Sequence, residues 1–208
     1  MMESKRTKRH LKTRQSILDA ARAIIAEDGP DALSMRSLAD RIDYSAPGLY
    51  EYFGSKEEII AAVCDQGQRY LYESMSAVDA ALPPDEYLYA IGIAYIQFAL
   101  AHPDYFLLMF TVAPPPNSNP QSEETVKDAL AADDSAYRIL VQAIERGLEE
   151  GVLQTRPGFG LDEMAYAAWT LVHGIAMLRI TALRHYPTDL VEMDNQVLFN
   201  FMRGLQAA

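Results

Sequence analysis

The chain has 208 residues, half of them apolar, and a formal net charge of -11, enough material to bury a sizeable core in one unit or in a small head and a larger body. A single cysteine, Cys64, excludes an intramolecular disulfide framework and any cysteine-cluster metal site, and its apolar neighbours Ile59 to Val63 predict an inert thiol. The charge is unevenly spread: residues 1–22 carry seven basic against two acidic side chains, whereas residues 61–208 carry eight against nineteen. A basic end on an acidic body fits one end meeting a polyanion, and equally a solvated charged tail. The longest apolar stretch, Met164 to Leu178, is broken by Thr170 and His173 and is too short to cross a bilayer. With no apolar signal core after the basic start, a cytoplasmic protein is expected.

Helical periodicity runs through nearly the whole chain and strand-like alternation is nowhere sustained, so the fold class is all-α with about nine helices. Ile17, Leu18, Ala21, Ile24 and Ile25 form the first apolar stripe, closed by Gly29-Pro30. Ser34 caps a short helix with Met35, Leu38, Ala39 and Ile42 inward, and Asp43-Tyr44 breaks it. Ser45 caps another, with Pro47 in its first turn, ending near Phe53-Gly54. Ser55 then caps a long helix, with Glu58 completing a capping box, that runs towards Ala81. After Pro83-Pro84 a fifth helix turns Tyr87, Leu88, Ile91, Tyr95, Phe98 and Ala99 inward, and His102-Pro103-Asp104 starts a sixth with Phe106, Met109 and Phe110. Ala113 to Gln121, with four prolines, reads as a loop. A helix from about Glu123 to Glu150 follows, then a Gly/Pro-rich turn to Gly160 and two final helices over roughly 161–185 and 188–206.

The run Ser34 to Tyr50 has the anatomy of a helix-turn-helix. Two short helices meet around a tight turn, with the small Ala39 at the crossing and Leu38, Ile42 and Leu49 as anchors. In that motif the second helix sends its N-terminal residues into the DNA major groove. Spacing of this kind also fits an ordinary helical hairpin.

More specific is the combination of the leading helix Ile17-Leu18-Asp19-Ala20-Ala21, Gly29, Leu49-Tyr50-Glu51-Tyr52-Phe53 and Ser55-Lys56-Glu57-Glu58. On these residues the run Thr13 to Val63 resembles the DNA-binding domain of the TetR family of transcription regulators. The resemblance implies a basic N-terminal arm over residues 1–12, a three-helix DNA-binding head over 13–60 and a helical ligand-binding and dimerisation domain over 61–208. It also implies a homodimer joined through the last two helices, facing a near-palindromic operator. By resemblance Ala46, Pro47, Gly48, Tyr50 and Tyr52 face DNA, Arg36 reaches a base or phosphate, and Ser34, Ser45 and Lys56 meet phosphates at helix starts. Tyr50 and Tyr52 have a competing reading as packing within the head. With no Asn, Gln, Arg or Lys at positions 46 and 48, direct readout is expected to be sparse and to rest on Arg36 and the Tyr50 hydroxyl. Two departures stand out: Asp43 where the family has glycine, and Tyr44 where it has a smaller aliphatic. Aspartate tolerates the left-handed backbone such a turn requires.

Ala168-Trp169-Thr170-Leu171-Val172-His173-Gly174, with His102-Pro103 upstream, resembles the subgroup with a Trp-His-Gly signature in its C-terminal domain. An apolar effector pocket lined by Tyr95, Phe98, Phe106, Met109, Phe110, Tyr137, Trp169 and His173 is one reading of the body. A plain aromatic core, with Trp169 and His173 as a structural pair, is the other. The implied mechanism is release of a repressor by its effector, through movement of the helix that starts after Ser55. A constitutive or architectural DNA-binding protein is the alternative. A remoter one is a helical enzyme using His10, His102, His173 or His185 with Asp104 or Glu163, for which no catalytic, metal or cofactor spacing is present.

Overall fold

The structure is a computed structural model that describes residues 5–111 and 132–206. Among these residues it contains nine α-helices, one 3-10 turn and no strand, the all-α class that the periodicity predicts. The helices are α1 (Lys5–Asp28), α2 (Met35–Arg41), α3 (Ala46–Leu49), α4 (Lys56–Ser76), α5 (Pro84–Ala101), α6 (Pro103–Thr111), α7 (Ala136–Glu149), α8 (Leu161–Ile180) and α9 (Val191–Leu205).

Several boundaries differ from expectation. The basic stretch is not an arm preceding the first helix: from Lys5 onward it belongs to α1, because nothing between Lys5 and Asp28 is glycine or proline and most residues there favour helix. The fourth helix stops at Ser76, short of Ala81. The helix ending at Glu149 begins at Ala136, where Ser135 accepts the Tyr137 N–H; residues 112–131, and with them the predicted loop and the Glu123 start, lie outside the described residues. The last two helices are each shorter than predicted.

The chain divides into two compact units, residues 1–67 with 104–119 and residues 68–103 with 120–208. The first is therefore larger than the head expected over 13–60, extending along α4 to Gly67 and taking in α6. Its core comprises Ile17, Leu18, Ala21 and Ile24 of α1, Leu38 and Ala39 of α2, Leu49, Phe53, and Ile59 and Val63 of α4. Polar contacts bind α6 into this unit. Asp104 pairs with Arg22 at 2.8 Å, the Arg22 guanidinium lies over the Tyr105 ring, and the Tyr105 hydroxyl donates to Gln66, whose amide donates to Gln15. Gly67 admits the Met109 side chain, whose sulfur would stand 2.5 Å from a Cβ at that position. Cys64 is partly buried on α4 and burial pushes its thiol up to about 11, which keeps it protonated and inert.

In the second unit α5 is the hub and packs against α7, α8 and α9. Leu88, Ile91, Tyr95, Phe98 and Ala99 of α5 are buried, as are Ile139, Ala143 and Ile144 of α7, Met164, Ala168 and Ala176 of α8, and Leu198, Met202 and Leu205 of α9. Each buried aliphatic side chain contributes about 1.5–3 kcal/mol relative to exposure. The segment after α7 is tied to the end of α9 by the Gln154 N–H donating to Leu205 O. Arg146 donates to the carbonyls of Ala80 and Leu82, fixing the connection before α5.

Candidate nucleic-acid interface

Short-range hydrogen bonds build the helix-turn-helix. The Ser37 N–H donates to Ser34 Oγ at 3.0 Å and the Ser34 N–H donates to Ser37 Oγ at 2.9 Å, a reciprocal cap that fixes the start of α2. Asp43 has φ 53°, the left-handed backbone a tight turn needs, and the Tyr44 N–H then donates back to Ala39 O at 2.9 Å. Aspartate therefore does here what glycine does in the family pattern. Ser45 Oγ accepts the Gly48 N–H at 3.2 Å and Pro47 sits in the first turn of α3. Leu38, Ala39 and Leu49 are buried and bring α2 and α3 together.

Burying Leu49 turns the opposite side of α3 outward. Pro47 and Ser45 are exposed, Ala46 and Gly48 half-exposed, and Tyr50, just past the helix, is 57% exposed. Ser34 and Arg36 are exposed on α2, and Arg36 forms no ion pair among the described residues. Arg41 of the same helix is already committed, its guanidinium donating to both Glu27 oxygens at 2.6 and 2.8 Å. Lys56 is half-buried at the start of α4, where Ser55 Oγ accepts the Glu58 N–H and the Glu58 carboxylate accepts the Gly54 N–H. Lys5, Arg6, Lys8, Arg9 and Lys12 are exposed along the first turns of α1.

The two tyrosines part company. Tyr50 projects freely, whereas half-buried Tyr52 stacks on His10 of α1 at 4.6 Å and meets Tyr44 edge-on at 6.2 Å. Packing within the head, one of the two readings open from sequence, therefore describes Tyr52. His10 and Tyr44 are neighbours of this face that the sequence does not place there: Tyr44 stands out only as a departure from the family pattern, and His10 only as one of four histidines.

In the second unit Tyr95, Tyr137, Trp169 and His173 form one cluster. The Trp169 indole N–H donates to the Tyr95 hydroxyl at 3.4 Å, and that hydroxyl lies 2.9 Å from His173 Nδ1. Tyr137 meets Trp169 edge-on at 5.6 Å. Burial raises the Tyr95 phenol and lowers the His173 imidazole, so both are neutral near pH 7. Phe98 meets His102 at a tilt, 5.4 Å between ring centres, in the same unit. Phe106, Met109 and Phe110 fall in the first unit, so the eight residues considered for one pocket are distributed over two units. A cleft of about 410 Å3 opens elsewhere, lined among others by Leu100, Arg179, Arg184, Tyr186 and Leu190, and none of those eight residues lines it.

The side chains considered for acid–base chemistry have structural duties: Asp104 holds Arg22, Glu163 accepts the Gly160 N–H, and His10 stacks on Tyr52. No group of His, Cys, Asp and Glu suited to a metal ion occurs among the described residues, and no single helix there is long and apolar enough to cross a membrane.

A capped α2, a left-handed turn and an outward-facing α3 define a helix-turn-helix DNA-binding protein. Residues 17–63 match the bacterial regulatory proteins of the tetR family, and residues 88–199 match the tetracyclin repressor-like C-terminal domain. The chain belongs to the TetR family and is a DNA-binding transcription regulator rather than an enzyme. It is 27% identical over 188 residues, 88% of this chain and 77% of the other, to an uncharacterised HTH-type transcriptional regulator of Mycobacterium tuberculosis, Rv0681. Over 49 residues, 24% of this chain and 22% of the other, it is 43% identical to the HTH-type transcriptional repressor KstR of the same organism. In fold it is similar to a protein of unknown function from Rhodococcus sp. RHA1, with a TM-score of 0.76 at 22% identity, covering 93% of this chain and 95% of that one.

Proposed function

We propose that the protein is a cytoplasmic repressor that grips a near-palindromic operator as a homodimer, with α3 of each subunit in the major groove. The observation that carries this reading is the orientation of α3: Leu49 is fully buried while Pro47 and Tyr50 face solvent. Arg36 and Tyr50 then read bases, Ala46 and Pro47 let the backbone approach closely, and Ser34, Ser45 and Lys56 support phosphate contact. The exposed cations of α1 add attraction to the sugar-phosphate rails without sequence preference. The sign of regulation is supported by the head's likeness to a relative named as a repressor.

The dimer is supported by an unpartnered apolar face on the last two helices. Leu178 of α8 is 51% exposed, and Met193 and Val197 of α9 share one side of their helix with Phe201 and Gly204. A Cβ at Gly174 or Gly204 would meet nothing within 4 Å, leaving room for another helix to approach. Leu190, Leu198 and Leu205 are buried in their own bundle.

For the effector, the aromatic cluster of Tyr95, Tyr137, Trp169 and His173, with Phe98 nearby in sequence, supports an apolar or weakly polar molecule held in the body. A second reading, DNA binding without an effector, is favoured by the bonds Trp169 and His173 already make with Tyr95, which complete that cluster from within the chain.

Selection of bound fragments from random duplex DNA tests the function directly. The expected product is a pair of inverted half-sites at fixed spacing, with Arg36→Ala relaxing the preference at one position of each. A purified protein that retains no duplex at low ionic strength overturns the reading.

A further inference from the structure

The basic turns of α1 run ahead of the head's core: every residue from Lys5 to Lys12 is exposed, and the first buried side chain of the helix is Ile17. The stretch from Lys5 to Ser16 is about 18 Å of helix. Left to itself such an end frays, because a few turns of helix are marginal in water. Two contacts one turn apart hold it. The His10 ring stacks on Tyr52 with 4.6 Å between ring centres and 27° between planes, and the Arg14 guanidinium lies 4.7 Å from the centre of the Phe53 ring.

Tyr52 and Phe53 are themselves fixed to α3, their N–H groups donating to Leu49 O at 2.9 and 3.1 Å. Tyr44 meets Tyr52 edge-on at 6.2 Å and seats its own ring over Gly48, where a Cβ would come within 2.7 Å of Tyr44 Cε1. Contacts therefore run unbroken from the recognition helix through Tyr52 to the basic end of α1.

The helical period fixes what this clasp leaves outward. At about 100° per residue, His10 and Arg14 lie on the side of α1 that also carries Ile17, Ala21 and Ile24, whereas Lys5, Lys8, Arg9 and Lys12 fall together on the opposite side. None of these four cations forms an ion pair among the described residues. On a loose tail such charges give only diffuse attraction; on a held helix they meet phosphates at fixed places.

We propose that Tyr52 acts on DNA through α1: with His10 it is a positioning residue that holds Lys5, Lys8, Arg9 and Lys12 as a fixed row of phosphate contacts beside the recognition helix. This inference rests on the reading that α3 faces the major groove.

The test measures the affinity of the full chain for the duplex recovered by selection, over a series of salt concentrations. Thermal unfolding of each variant checks the head. Lys8→Gln, Arg9→Gln and Lys12→Gln combined keep the helix, remove its charge and should flatten the salt slope by about two to three. His10→Ala and Tyr52→Ala open the clasp and should each flatten it by about one to two and weaken binding about tenfold, with the pair no worse than either alone. His10→Phe and Tyr52→Phe keep the stacked rings and should keep the wild-type slope. The selected sequence should stay the same throughout, because phosphate contacts carry no base information. His10 is exposed, so its variants decide the matter even where Tyr52→Ala disturbs the core.

A loss with Tyr52→Phe equal to that with Tyr52→Ala would put the hydroxyl itself on the DNA and overturn the proposal. An unchanged slope in His10→Ala or in the triple Gln variant overturns it too. In each of these cases α3 keeps its place in the groove if Arg36→Ala still alters the selected sequence. A wild-type chain that retains no duplex removes both readings together.

Discussion

Leu153 folds back over Gly147: its N–H donates to Gly147 O at 2.9 Å, and its Cδ1 and Cγ would lie 2.6 and 2.7 Å from a Cβ at position 147. Both residues are buried, so the end of α7 and the turn after it are packed through the absence of a side chain. Gly147→Ala adds helix propensity but forces Leu153 out of its seat. Overpacking of this kind costs about 1–3 kcal/mol and outweighs the propensity gain of roughly 1 kcal/mol. Urea unfolding should show a lower midpoint for Gly147→Ala, and Leu153→Ala combined with it should cost less than the sum of the single changes.

The hydrogen-bonded chain from half-buried Trp169 through buried Tyr95 to half-buried His173 makes a second prediction. Tyr95→Phe keeps the ring in place and deletes the hydroxyl that bonds both neighbours. Removing the buried hydroxyl from a half-buried polar network costs about 1 kcal/mol, because water only partly replaces the lost bonds. The loss should appear in chemical denaturation monitored by Trp169 fluorescence, the chain's only tryptophan. Unchanged stability with unchanged fluorescence would show that the network contributes nothing.

His173 also gives the body a direction of acid sensitivity. Burial lowers its imidazole below the ordinary value of 6.5, so the unfolded chain takes up a proton more readily than the folded one. Stability from this group is intact above that ordinary value and falls as pH drops from 6.5 towards the lowered folded value. Wild-type protein should lose stability between pH 7.5 and 5.5, and His173→Gln should lose less over the same interval. Equal losses in the two proteins would assign the acid response to other groups.

What was legible in the chain was mostly local. Serine caps at positions 34, 45 and 55 depend on residues three apart, and the left-handed turn at Asp43 follows from the two helices it must join. The allegiance of α6 to the first unit was not legible, because Arg22 and Asp104 are 82 residues apart and nothing in either neighbourhood announces the other. The pocket reading suffered from the same blindness: Phe106 and Trp169 look alike as apolar aromatics, and only the tertiary fold assigns them to different units. The α1 start is a different case. Residues 5–14 hold no helix breaker, so reading them as an arm gave charge more weight than backbone propensity. Tyr44 departs from the family pattern in residue type, but its contact is with a glycine, and a close approach to a missing side chain leaves no mark in the sequence.

The apolar stripe on α9 can be tested as the dimer face because its members are exposed within one chain. Met193 is 62% and Val197 41% exposed, one helical turn apart, whereas Phe199, 54% exposed, points to a different side of the same helix. A double change, Met193→Glu with Val197→Glu, places two carboxylates where solvent already reaches, so the monomer should fold with little loss. Buried between two subunits the same carboxylates would lie unpaired in an apolar seam, a cost of several kcal/mol that a modest interface does not offset. Sedimentation at micromolar concentration should therefore find the double variant monomeric and cooperatively folded, with operator affinity sharply reduced because its two heads are no longer joined. Phe199→Glu should leave the dimer intact. A double variant that sediments as a dimer would place the interface on another face of the molecule.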